Sequence, residues 1–76
     1  MNVEMLTEKI ESSGRSKSEI AEALGITRQG LYNKLSGDNE FKSSEIRRLS
    51  EILCLTPDER DRIFFADYVG ENDYNK

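Results

Sequence analysis

Apolar residues recur along this chain in five short bursts at helical spacing, separated by glycine, serine, asparagine or a threonine-proline pair. Val3, Leu6 and Ile10, with Met5 beside them, form a stripe ending at Ser12-Ser13-Gly14, which predicts a first helix packed over the two helices after it. Ile20, Ala21 and Leu24 share one side of a second helix and leave Glu19 and Glu22 toward water. Ser16, three residues before Glu19, is a capping-box signature and sets the start of that helix near Lys17. Gly25 follows the last apolar position, where a left-handed residue without a Cβ commonly ends a helix. Ile26 should plug the corner, and Thr27 should cap a third helix running through about Leu35. Ser36-Gly37-Asp38-Asn39 then reads as a loop.

Beyond the loop, Phe41 is expected to pin the chain to the core, and Ser43 or Ser44 can cap a fourth helix. Its buried stripe is Ile46, Leu49, Ile52 and Leu53, with Arg47 and Arg48 on or beside the solvent face. Thr56-Pro57-Asp58-Glu59 is the strongest helix start in the chain and predicts a fifth helix to about Ala66. Ile63, Phe64 and Phe65 are consecutive and cannot all face one core, so one aromatic ring is expected to be exposed in a monomer. With Tyr68 and Val69 it could form a dimer contact, or a C-terminal segment could fold back over it. The division expected is one domain over 1–69, with a polar, acidic tail over 70–76 for which disorder is the default.

The third helix buries little for its length. Leu31 and Leu35 form its apolar pair, whereas Arg28, Gln29, Tyr32, Asn33 and Lys34 are polar or amphipathic. Arg and Gln near a helix start are the side chains whose paired donors, or donor and acceptor, match guanine and adenine edges in the major groove. From Ile26 to Gly37 the chain carries Arg28 and Lys34 and no acid, the local charge that approach to phosphate requires.

The stretch from Ser16 to Ser36 resembles the helix-turn-helix of the phage repressor and Cro family of small transcriptional regulators, the lambda-repressor-like or XRE-like group. The similarity spans roughly Met5 to Phe65 and rests on Ala21 where two helices would cross, Gly25 in the turn, and Leu31 where the second motif helix packs back. The run TRQGLYNKLSG is similar to the recognition helices of phage-derived members, and EFKSSEIRRLSEIL to the helix that comes after them. The resemblance implies an all-α, five-helix domain acting as a sequence-specific double-stranded DNA-binding regulator. It further implies a homodimer presenting two recognition helices about 34 Å apart to a pseudo-palindromic operator. Gly30 departs from a good helix former at a cost of roughly 1 kcal/mol against Ala, which would leave the recognition helix pliant until DNA is bound.

Carried onto this chain, the resemblance places Lys17 on the phosphate backbone and makes Arg28 and Gln29 the base-reading pair, with solvated surface residues as the plain alternative. Thr27 is placed at the same DNA-facing helix start. Tyr32 and Asn33, one turn on, could reach bases or phosphates, although Tyr32 could instead lean on Phe41. Ser36 and Lys34 fit backbone contacts weakly, and Lys42, Arg47 and Arg48 read as a solvated face more than a phosphate clamp.

Composition narrows the alternatives. Seventy-six residues make one small domain without room for a separate sensing or catalytic unit, so oligomerisation is expected to supplement a modest core. With one cysteine and no histidine, neither an internal disulfide nor a cysteine or histidine metal cluster is expected, and Cys54, between Leu53 and Leu55, is expected to be a small core residue. The absence of a nucleophile-base set, a glycine-rich phosphate loop or a ligand cluster points away from an enzyme, a cofactor or a small-molecule ligand. No apolar run has the length of a membrane span or a signal sequence, so a cytoplasmic protein without membrane contact is expected.

The net charge of −4 argues against indiscriminate nucleic-acid binding, so its distribution matters. Residues 1–13 balance at −2, residues 14–48 at +2 and residues 49–76 at −4, which makes the motif-bearing section the one net-positive part. The acidic remainder and the Phe64-Phe65-Tyr68 cluster support a rival reading, in which the same fold is a protein-binding module such as an antirepressor, an antitoxin component or a phage-encoded inhibitor.

Overall fold

The computed structural model describes residues 1–65, and these form five α-helices: α1 (Val3–Ser12), α2 (Lys17–Leu24), α3 (Arg28–Leu35), α4 (Ser43–Ile52) and α5 (Pro57–Phe64). No strand occurs among the described residues, so the fold is all-α with a central helix-turn-helix. Residues 66–76, with Tyr68, Val69 and the expected 70–76 tail, lie outside the described residues.

Each start has a local cause. Ser16 accepts from the Glu19 N–H at 3.1 Å while Glu19 accepts from the Ser16 N–H at 2.8 Å, and Thr56 and Glu59 repeat that reciprocal box on α5. Asn2 caps α1 through Met5, a start that the apolar stripe alone did not locate. On α4 the cap position falls to Lys42, one residue before the expected serines, because Glu45 accepts the Lys42 N–H at 2.7 Å and is buried.

The core is aliphatic: Leu6, Ile20, Leu31, Leu49 and Ile63 are fully buried, with Ile10 and Ala21 nearly so. Full burial stabilises each large side chain by about 1.5 to 3 kcal/mol. Helix α2 lies against both α3 and α4, and α1 lies against α5 while Leu6 and Ile10 bury α1 in one core with Ile20, Ala21 and Leu31 of the motif. The Asn2 N–H donates to the Ile63 carbonyl at 2.7 Å, and Lys9 pairs with Glu59, so α1 and α5 close the domain behind the motif. Small Ala21 sits in the core where α2 meets its neighbours.

Two turns show what ends the helices. Gly25 adopts φ 73°, the Ile26 N–H reaches the Ala21 carbonyl at 3.0 Å, and a Cβ on Gly25 would meet nothing within 4 Å. Glycine is therefore required there by backbone conformation and not by space. The same wrap ends α4, with the Leu55 N–H on the Ser50 carbonyl at 2.9 Å, but its left-handed residue is Cys54 at φ 53°. Cys54 is exposed, which corrects its expected place in the core. The left-handed turn directs Leu53 and Leu55 toward the core and the cysteine between them outward.

The expected exposure of one terminal aromatic is also corrected: Phe64 and Phe65 are both half-buried. Phe64 packs edge-on against Phe41 with ring centroids 5.6 Å apart, and α5 ends there rather than near Ala66. Phe65 lines an open groove between α4 and α5 with Ile46, Cys54 and Leu55.

Candidate nucleic-acid interface

Helix α3 is anchored on one side and open on the other. Only Leu31 and Lys34 are buried, whereas Arg28, Gln29 and Tyr32 are exposed, Asn33 is half-buried and Ser36 is exposed just past the end. At about 100° per residue, positions 28, 29, 32, 33 and 36 fall within an arc of about 140° opposite the two buried ones. The five outward positions expected on this helix thus share one face. Tyr32 is 62% exposed, and the Phe41 ring it could have leaned on is taken up by Phe64.

The chemistry of that face is specific. Gln29 Nε2 donates to Asn33 Oδ1 at 3.0 Å, which leaves the Gln29 carbonyl oxygen as an acceptor and the Asn33 amide nitrogen as a donor. Arg28 and Lys17 make no ion pair among the described residues, so both charges are available to an incoming ligand. Thr27 caps α3 by accepting from the Gly30 N–H at 2.9 Å, and its own hydroxyl proton remains to be donated. The Ser36 hydroxyl is engaged closer to home, on the Asn33 carbonyl at 3.0 Å and on Asp38 at 3.3 Å.

Electrostatics at the start of α2 is mixed. Lys17 is exposed, but the Glu19 carboxyl two residues on is held below its ordinary range, first by the Ser16 backbone N–H and then by the Ser16 side chain. It therefore remains ionised in the first turn of α2, near Arg15, and tempers that helix start as an anion site.

Sequence reasoning missed two contacts behind the face. Lys34, expected as a weak backbone contact, is turned inward: its Nζ lies 3.0 Å from Glu45 Oε1 and 3.0 Å from the Glu40 carbonyl oxygen. Both side chains are about nine-tenths buried. Lys34 stands three residues after Leu31 and Glu45 four before Leu49, so opposite charges share the apolar stripes of consecutive helices, a spacing that becomes a signal only once the two helices are known to pack together. Burial alone would raise the Glu45 carboxyl, but the Lys42 N–H and the Lys34 ammonium outweigh it and hold it below the usual carboxylate range. Arg48 lies on the solvent face, as expected, and also donates from Nε to the Ala23 carbonyl at 3.3 Å, placing a cation at the negative end of α2 beside the turn.

Two short helices across a left-handed glycine, the second anchored from behind and presenting an arginine and two linked amides, define a helix-turn-helix module, the class that reads duplex DNA. The chain belongs to the helix-turn-helix domain family, whose model matches residues 11–63. No curated protein and no solved structure matches it. No helix among the described residues is long and apolar enough to cross a membrane.

Proposed function

We propose that this protein is a sequence-specific transcriptional regulator of the phage repressor and Cro type, acting by binding and not by catalysis, and reading a pseudo-palindromic operator as a homodimer. The observation that carries this reading is the outward face of α3, where Arg28, Gln29, Tyr32 and Asn33 stand together opposite the buried anchors. Arg28 has the paired donors that suit the O6 and N7 acceptors of guanine. The linked Gln29 and Asn33 amides offer the acceptor and donor that suit adenine. Lys17 and Thr27 serve the sugar-phosphate backbone, which positions the helix without reading sequence, and Ser36 joins them only by releasing Asn33 and Asp38. The half-buried Phe65 in the groove between α4 and α5 gives the dimer contact an apolar centre, with Arg47, Glu51 and Arg60 around it.

The test is selection of sites from randomised duplex DNA by the purified protein, beside an Arg28→Ala, Gln29→Ala double variant. Enrichment of a two-fold symmetric motif by the wild type alone supports the proposal. A folded wild type that enriches nothing removes it. The groove between α4 and α5 favours the second reading, a protein-binding module on the same fold, and would then be the surface to screen.

A further inference from the structure

We infer that Lys34 and Glu45 form a positioning pair that sets the rotation of α3 about its own axis, and with it the register of Arg28, Gln29 and Asn33 against base edges. The inference rests on α3 being the recognition helix.

Helix α3 has eight residues, two buried anchors, Leu31 and Lys34, and the half-buried Leu35 packed on the core at its end. Leu31 and Leu35 supply apolar contacts, which reward burial but carry no direction of their own. Lys34 supplies direction. Its ammonium meets Glu45 from the first turn of α4, the Glu40 carbonyl from the preceding loop, and the Phe41 ring at 5.8 Å from the centroid. Two of these partners are held in turn: Glu45 accepts the Lys42 N–H, and Phe41 packs on Phe64. No buried polar side-chain atom among the described residues lacks a hydrogen bond, so the network is complete.

The magnitudes favour a geometric role. A buried ion pair adds little net stability, because desolvation consumes most of the Coulomb gain, and apolar residues of similar volume often replace one without loss. A small rotation, by contrast, is costly to reading. Turning a helix about 10–12 Å across by about 20° moves a side-chain tip at its rim by about 2 Å. Hydrogen bonds to base edges tolerate a few tenths of an ångström.

The experiment replaces both charges together, Lys34→Met with Glu45→Leu, so that no buried charge is orphaned. Two readouts are taken: the ratio of affinities for the selected operator and for random duplex, and hydrogen exchange of the backbone amides in the free protein. The pair acts as inferred if the double variant keeps its helical signal and melts cooperatively while the ratio falls about tenfold or more. The α3 amides should then exchange about tenfold faster, with those of α1 and α5 unchanged. An unchanged ratio with unchanged α3 exchange overturns the inference, as does exchange accelerated equally in every helix. Should the double variant fail to fold, Glu45→Gln retains an acceptor for the Lys42 N–H while weakening the bond to Lys34, and a several-fold loss in ratio is expected. Should the wild type select no site, the proposed function fails, and the exchange of α3 alone decides whether the pair orients the helix.

Discussion

Gln29 and Asn33 are joined side chain to side chain, Nε2 to Oδ1 at 3.0 Å, one turn apart on the open face of α3. The bond fixes which atoms each amide has left to offer, so the two act as one donor-acceptor unit. Gln29→Ala and Asn33→Ala should each cost about 1 to 3 kcal/mol of discrimination at the operator positions they read. The double variant should lose clearly less than the sum, since either change alone already releases the partner. Titration of the four proteins against the selected site and its single-base variants measures this, and strict additivity would show that the amides read independently.

Arg28 and Lys17 are both exposed and without an ion pair among the described residues, yet they stand at the starts of different helices and should fail differently. Arg28→Ala is expected to cost about 1 to 3 kcal/mol at one base position and to relax specificity there. Lys17→Ala should weaken all sequences alike and lower the salt dependence by about one phosphate contact. Binding isotherms on operator and random duplex across a salt series separate the two. Equal losses on both DNAs for Arg28→Ala would remove its assignment to base reading.

The five helices and the open face of α3 were legible because they rest on local signals: the serine and threonine caps, Gly25, and the spacing of Leu31 against Arg28, Gln29 and Asn33. The inward turn of Lys34 was not, because a lysine among polar neighbours looks solvated until the opposite charge on the next helix is brought beneath it. Cys54 misled for a related reason. Its leucine neighbours suggest a core position, whereas its own direction comes from the left-handed backbone that ends α4. Nor could spacing show that α1 would also be tied to α5, since that link is made through the Asn2 and Lys9 contacts with Ile63 and Glu59.

Acid should loosen the domain through its carboxylates. The Glu45 carboxyl is held below its ordinary value of 4.5, burial being outweighed by the Lys42 N–H and Lys34. Glu59 is lowered by Lys9 first and the Thr56 N–H second. A lowered folded value means that the unfolded chain binds more protons as pH falls past the ordinary value, so this stability is complete above that value and is lost below it. Urea unfolding from about pH 6 to about pH 3 should show stability falling with pH, with a shallower fall in Glu45→Gln. An identical slope in that variant would mean that Glu45 contributes nothing to the acid response.

Cys54 occupies the left-handed position that glycine usually fills at a helix end, with φ 53° and its side chain exposed. Left-handed backbone costs an L-residue roughly 1 to 2 kcal/mol, and glycine returns about 0.5 to 1 of that as entropy lost on folding. Because the thiol is exposed, little packing is forfeited, so Cys54→Gly should stabilise the domain by about 0.5 to 1 kcal/mol. Thermal and urea unfolding of the two proteins under reducing conditions checks this, and a destabilised variant would show that the thiol makes a contact worth more than the strain.

Gly30 sets two effects against each other. A Cβ there would lie 3.1 Å from Thr27 Oγ1, the oxygen that caps α3, while alanine would relieve up to about 1 kcal/mol of helix cost. The other caps decide the sign. Ser16 and Thr56 each cap a glutamate that carries a Cβ, and both bonds stand at 3.1 Å, against 2.9 Å for Thr27 and Gly30. Lengthening the Thr27 bond by a similar small amount makes room for the methyl group and leaves an ordinary hydrogen bond. Gly30→Ala should therefore stabilise the domain by a few tenths to about 1 kcal/mol. It should also raise affinity for the selected operator, because a stiffer α3 loses less freedom on binding. Unfolding and binding measured on the same preparation test both parts. A less stable variant would mean that Thr27 cannot give way, and that glycine stands at this position to protect the cap.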